Sequence, residues 1–565
     1  MSILSRGRDA SINNEKCDLV LKNAQFINVF TSEIQQADIG IVEDIIIGVG
    51  TYSGIEEIDC SSKFISPGFI DAHIHIESSM VTPNTYGNLV INHGVTTVIA
   101  DPHEIANVLG VDGIKLMMDN SELAPIDIHF MMPSCVPAVK FEENGGVLNA
   151  RDLYEFITSP KVIGLGEVMD VNAVTTMNPS MMEKLDAFKD SNIDGHAPHI
   201  SLGQLNQYIL SGIKTDHECI TKEEALEKVR LGMHVLIREG SAAKNLINLI
   251  GAVDDNNYRN FSFCTDDRHI EDIIEEGTIN NAIKLSIECG LNPIKAYIMG
   301  TYNVCKCYGL SKKGAIAPGY IADLVILNNL DDVDIDIVIK SGHIVNKSRD
   351  TSNEFVARNT VNMDKLTEKH FQITPTGSNM NVIEIIPNSL ETKLSIRPSI
   401  IIDNKLDMSS YEDVLKIAVF ERHKRTGNYS LAFLSGMGLK NCSVAQSIAH
   451  DSHNIIVIGD NDNDMAKAVN TLIDIGGGIA IVSNGDVINT LPLEVGGILT
   501  NASVDYVYSR LKELNVFMDK HGLKVNVDAF ITLSFMSLPV IPEVKLTTKG
   551  LISYKTLSKL PVFFD

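Results

Sequence analysis

Two histidines two residues apart, His73 and His75, end a short apolar run in Pro67-Gly-Phe-Ile-Asp-Ala-His-Ile-His75. In a β-strand, side chains two apart project from the same face. Their neutral imidazoles can therefore converge on one metal ion. Further donors must come from elsewhere in the chain. Glu167, His196, His217 and Asp266 each close an apolar stretch in the same way. Four imidazoles and two carboxylates can hold two divalent ions if one carboxylate bridges them. Such a pair, ~3.5–4 Å apart, can hold a hydroxide and polarise an electrophile. Mixed imidazole and carboxylate donors suit manganese, iron or zinc better than magnesium or calcium. Singly, each residue has a plainer reading, as a core histidine, a solvated carboxylate or, for Asp266 beside Asp267, a helix N-cap. The joint placement is what points to a metal centre.

Positioning them requires a repeated strand. The stretches Phe69–His75, Thr96–Asp101, Ile126–Pro133, Val162–Glu167, Ile193–His196, Gly212–His217, Met233–Arg238 and Phe261–Asp266 read as eight apolar strands with polar ends. Helix-forming stretches such as Lys222-Glu-Glu-Ala-Leu-Glu-Lys-Val-Arg-Leu separate them. Eight βα units in roughly 240 residues match a (β/α)8 barrel of about 250, whose chemistry sits at the C-terminal ends of the strands. Short β-like segments flank this region, at 18–49 before it and at 322–345 after it. They are expected to pack together as one small β-sandwich domain into which the barrel is inserted. Beyond about residue 365, strand-like Asn454–Gly459 and Gly478–Ser483 mix with helix-like Asp464–Asn470 and Val504–Leu511. The expected fold is thus α/β, with a composite domain (1–66 with 312–364), a catalytic barrel (67–311) and a C-terminal α/β or α+β domain (365–565).

The formal net charge of −25 argues against a nucleic-acid partner. Nine scattered cysteines without a CxxC pair fit reduced thiols. Neither a signal-peptide core nor an apolar run of ~20 residues is evident, so a cytoplasmic protein without a membrane span is expected. The motifs of phosphate loops, nucleophile elbows and dinucleotide folds are absent.

The order His-x-His, Glu, His, His, Asp resembles the amidohydrolase superfamily. Longer stretches narrow the resemblance to the adenine deaminase family: Phe69-Ile-Asp-Ala-His-Ile-His-Ile-Glu-Ser-Ser, Asp101-Pro-His-Glu-Ile-Ala-Asn-Val, Ser134-Cys-Val-Pro-Ala, Ile237-Arg-Glu-Gly-Ser-Ala and Cys264-Thr-Asp-Asp-Arg. Glu167 stands where many superfamily members carry a carbamylated lysine, as it does in that family. The resemblance covers nearly the whole chain, including the tail from Leu533 to Leu551.

It implies hydrolysis of adenine to hypoxanthine and ammonia, with two divalent ions, Mn(II) or Fe(II) before Zn(II). The metal ligands would be His73, His75, Glu167, His196, His217 and Asp266. Asp266 would also take the proton of the attacking water and pass it to the departing amino group. A second acid must protonate a ring nitrogen; Glu218 leads, with Glu77 and Glu104 behind it. His103 and Glu104, at the end of the second strand, would contact substrate or a further metal, and Arg238 and Ser241 would line the pocket. Adenine and water are the expected partners, with a homo-oligomer, a dimer first, as the expected assembly. Two other readings are open: a related amidohydrolase acting on a cyclic amide or ureide, and a non-catalytic scaffold on the same fold. In the last domain, His450 and His453 either reach the barrel mouth or serve structure alone. The Asp460, Asp462, Asp464 run is not an EF-hand, because Met465 and Thr471 replace its Gly and Glu.

Overall fold

The computed structural model describes residues 3–241, 243–346, 358–387, 389–402 and 405–565. Residues 347–357, which fall within the expected 312–364 segment, lie outside the described residues, as does Ala242 of the Ile237–Ala242 motif.

The eight expected strands all form: β1 (Phe69–Ile74), β2 (Val95–Ala100), β3 (Asp127–Met132), β4 (Val162–Val168), β5 (Asn192–Gly195), β6 (Thr215–Asp216), β7 (His234–Arg238) and β8 (Phe261–Cys264). Strands β1 to β5 pair in sequence order, as do β6 to β8, and every pair is parallel. Backbone bonds then close the ring. Asp266 N donates to His73 O at 2.9 Å and His75 N to Asp266 O at 3.1 Å, stitching the end of β8 to β1. Between β5 and β6, Lys214 N donates to Ile193 O at 3.0 Å. The result is a TIM-like barrel. Burial on both faces explains the near-continuous apolar runs of its strands. Ile70, Ala72, Ile99, Met131, Leu236 and Cys264 share one apolar cluster with Val304, Cys305 and Tyr308 of the helix Tyr302–Tyr308. Phe69, Val98, Phe130 and Leu165 join the larger core with the surrounding helices.

The flanking β segments form one eight-stranded sheet. Phe64–Pro67 pairs antiparallel with Leu324–Leu327, so the entry to the barrel is sewn to its exit. Leu19, Phe26, Ile39, Ile65, Leu324 and Ile339, from strands on both sides of the barrel insertion, share one core. The third part of the chain is built on a nine-stranded sheet, antiparallel except where Asn379–Ile385 pairs with Tyr429–Ser435. The helices Asp462–Ile475 and Val504–Lys520 belong to this part. That is an α+β arrangement. All nine cysteines are free thiols. No helix among the described residues is long and apolar enough to cross a membrane.

Candidate metal centre

Donor atoms of His73, Glu167, His217 and Asp266 lie within 4.8 Å of one another, all buried. Each comes from the end of a different strand (β1, β4, β6 and β8), so the barrel alone brings them together. His75 enters from β1, its Nε2 standing 2.7 Å from Glu167 Oε1 and 3.1 Å from Asp266 Oδ1. From beyond β5, His196 Nδ1 reaches Glu167 Oε2 at 2.7 Å. Glu167 is therefore central, its Oε1 side facing His73 and His75 and its Oε2 side facing His196 and His217.

Apart from the bond between His196 Nδ1 and Glu167 Oε2, these contacts are poor hydrogen bonds and good metal sites. Glu167 Oε1 sits 2.9 and 2.7 Å from two imidazole nitrogens, yet it has no hydrogen-bond partner of acceptable geometry. The same holds for His73 Nδ1, His196 Nε2 and both ring nitrogens of His217, all buried. Buried polar groups are ordinarily satisfied. Nε2 of His73 and of His75 are only 3.2 Å apart, a spacing at which at most one can carry the proton between them. His75 Nδ1 lies 3.0 Å from the carbonyl of Asp101, which places that ring's proton on Nδ1 and frees Nε2 as a donor. A divalent cation among these lone pairs satisfies them, so the residues fit the metal their chemistry suggests.

Charge is arranged to match. Burial works against ionising Glu167, but the imidazoles of His217, His73 and His75 outweigh it and hold the carboxylate well below its usual range. Asp266 is likewise held well below: burial opposes charge, and the Arg238 guanidinium and hydrogen bonds to His73 and His75 overcome it. Arg238 Nη1 donates to Asp266 Oδ2 at 2.8 Å. His217 stacks on His73 with centroids 4.3 Å apart, and burial together with the His73 charge pushes it well below the ordinary histidine value. The neighbouring carboxylates instead overcome burial and push His73, His75 and His196 up, so a bound cation must displace their protons. A neutral imidazole is the form that binds metal. Asp266 also takes a left-handed backbone, φ +58°, a conformation Asp tolerates better than most residues.

Supporting residues lie behind the donors. Asp101 Oδ2 accepts the Glu167 amide at 3.0 Å. A Cβ on the preceding Gly166 would fall 2.0 Å from that same oxygen, so glycine is required there. Gly166→Ala is expected to push Asp101 off Glu167 and lower bound metal about tenfold without altering a donor, as metal analysis on the purified variant would show. Asp71, Asp194, Asp216, Ser134 and Lys184 were not among the expected site residues, although Asp71 and Ser134 lie in motifs that carry the family resemblance. Asp71 takes the Thr265 hydroxyl at 2.5 Å, Asp194 that of Thr215 at 2.7 Å, and Asp216 the Lys228 ammonium at 2.7 Å. Their signal was present: an Asp stands one or two residues before His73, His196 and His217. Ser134 donates to the Glu167 carbonyl and Lys184 Nζ to Ser134 O at 2.5 Å; Lys184, on a helix, carried no sequence signal.

The remaining expected residues separate into two groups. Glu218 is bonded to Arg238, lies 3.6 Å from His217 Nε2, and with Arg238 lines a cavity of about 130 Å³ that Leu390, Ile541 and Pro542 cover. Glu77 accepts the Ile105 amide at 3.1 Å, leaves Oε2 unpartnered, and is pushed up to about 7 by burial. His103 packs its ring 4.4 Å from that of His75. Ser241 faces away, donating to Asp272 and accepting the His269 amide at 2.8 Å at the start of the helix Ile270–Glu275. Glu104 is held between His450 and His453, so the histidines of the last domain do reach the barrel.

Two family models match the chain. Residues 64–345 match the amidohydrolase family, and residues 389–558 match the adenine deaminase C-terminal domain. Among curated proteins, the chain is 44% identical to the adenine deaminase of Clostridium acetobutylicum, over 96% of this chain and 97% of that one. It is 44% identical to the adenine deaminase of Bacillus licheniformis and 41% identical to that of Bacillus subtilis, each over 98% of both chains. With the donors converging at the barrel mouth and identity running end to end, the chain belongs to the adenine deaminase family of amidohydrolases.

Proposed function

We propose that this protein hydrolyses adenine to hypoxanthine and ammonia in the cytoplasm. The observation that carries the reading is full-length identity to adenine deaminases combined with a buried set of unpartnered donors. His73, His75, Glu167, His196, His217 and Asp266 would hold two divalent ions, manganese or iron first and zinc next. When bound, such ions supply Lewis acidity that brings a water's pKa towards neutrality.

The rest is the work of side chains. Asp266 takes the proton of the attacking water on Oδ1, the oxygen turned to His73 and His75, while Arg238 fixes Oδ2. As C6 becomes tetrahedral, the ring nitrogen beside it needs a proton. Glu218 is assigned to that step, in its protonated form, because it lines the cavity with Arg238 and lies 3.6 Å from His217 Nε2. Glu104 is taken up by two histidines, and Glu77 is anchored to the Ile105 amide. Asp266 then hands its proton to the amino group, which leaves as ammonia, while the C6 hydroxyl returns a proton to Glu218 as the carbonyl forms. Leu390, Ile541 and Pro542 of the last domain give this cavity part of its apolar lining.

Ammonia release from adenine, measured beside adenosine, guanine, cytosine and a cyclic ureide with Mn(II) supplied, tests the reading. Turnover of adenine far above the others is expected. Activity on the ureide with none on adenine would overturn it, and no turnover of any substrate despite bound metal would favour a scaffold. The homo-oligomer, a dimer first, is checked by light scattering on the same sample.

A further inference from the structure

His103 has an unexplained ring nitrogen. It begins the helix His103–Leu109 just beyond β2, is 4% exposed, and leaves Nδ1 without a hydrogen-bond partner. Nδ1 lies 3.5 Å from Asp101 Oδ1, too far for a good bond. That aspartate is engaged already, Oδ1 with the His103 amide at 3.2 Å and Oδ2 with the Glu167 amide. On its other side Nδ1 is 3.9 Å from Glu167 Oε1, and donor atoms of His75, His103 and Glu167 lie within 4.8 Å of one another. Metal–nitrogen and metal–oxygen bonds of about 2.0–2.2 Å put opposite donors of one ion about 4 Å apart.

The far edge of the ring is bordered by carboxylates. Nε2 is 3.5 Å from Glu104 Oε1 and 3.9 Å from Asp451 Oδ1. A metal-binding histidine typically points its second nitrogen at such a group, which fixes the tautomer and the ring's orientation. Both carboxylates depend on the last domain. Asp451 belongs to it, is 2% exposed and leaves Oδ2 unpartnered. Glu104 belongs to the barrel but has one oxygen bonded to His450 and the other to His453. The loop carrying these residues is itself clamped, by Arg422 on the His453 carbonyl and by His423 Nε2 2.7 Å from the Ser452 carbonyl.

We propose that His103 Nδ1 is a further ligand of the metal centre, set in place across the domain boundary by Asp451 and, through Glu104, by His450 and His453. The proposal rests on the metal reading above and, of the two sequence expectations for His103, substrate or a further metal, takes up the metal contact at the centre itself. Asp451, His450 and His453 are positioning residues, since they act through His103 and Glu104.

The test uses the full-length protein loaded with Co(II), whose visible absorption reports ligand number, together with the rate of metal loss to a chelator. Wild-type protein must first bind Co(II); failure there sinks the metal reading and this proposal with it, whereas binding that His103→Gln leaves untouched sinks this proposal alone. His103→Gln is then expected to change the visible spectrum and speed metal loss more than tenfold, and Asp451→Asn to speed it about tenfold with a wild-type melting temperature once metal-free. Glu104→Gln provides a second route should Asp451→Asn fold poorly. A wild-type spectrum and release rate in His103→Gln would overturn the ligand. An effect of His103→Gln with none from Asp451→Asn or Glu104→Gln would overturn the control from the last domain.

Discussion

Glu167→Gln is expected to abolish deamination, by about 1,000-fold or more, and to weaken metal binding by at least about 100-fold. Glu167 stands among all the imidazoles, 2.7 Å from His75 Nε2 and 2.7 Å from His196 Nδ1. A glutamine keeps the shape but removes the charge and turns one oxygen into an NH2. That group cannot ligate, and it would face imidazole nitrogens whose lone pairs it can only occupy. The backbone contacts are unaffected, because Asp101 and Ser134 bind the amide and carbonyl of this residue. Melting curves with and without Mn(II) separate the effects. Wild-type protein should be stabilised by the ion through binding linkage, and the variant should show no increment. A variant that kept its metal and its activity would remove Glu167 from the centre.

Asp266→Asn should lower kcat by about 10³- to 10⁴-fold while leaving KM within a few-fold. Asparagine is chosen because it tolerates the left-handed backbone at φ +58°, so the stitch between β8 and β1 survives. Its carbonyl oxygen can still ligate, but the amide has no basicity with which to take a proton. An alanine would confound chemistry with backbone strain and leave Arg238 buried without one of its two carboxylates. Steady-state kinetics with metal analysis on the same preparation decides. Near wild-type kcat in a metal-replete variant would assign the proton transfer to another residue.

The barrel was legible because each strand is an apolar run closed by a polar residue, a pattern that burial on both faces imposes. β6 is the informative departure: it was expected over Gly212–His217, but only Thr215–Asp216 is paired. Gly212, at φ +94°, still belongs to the turn that ends the preceding helix, its amide bonded to Ile209 O, so the strand starts late. Asp216 then turns its carboxylate to the amides of Ala197 and Glu218. The donors were legible by residue type and strand position. Ser241 was not, since nothing local shows that its hydroxyl caps the next helix. Nor was the link between Glu104 and His450, 346 positions apart in sequence, because tertiary packing alone makes it. The order of the nine-stranded sheet was hidden for the same reason, and this left α/β and α+β undecided until the pairing was seen.

The pairing of Phe64–Pro67 with Leu324–Leu327 bears on how the chain is made. A ribosome adding about 5–20 residues per second needs roughly 15–50 s to travel from one partner to the other. Throughout that interval the earlier strand offers an open edge in a crowded cell, the condition that invites pairing with another chain. The base of the barrel therefore cannot be closed until the strands just before residue 346 have been made, and those strands act as its clasp.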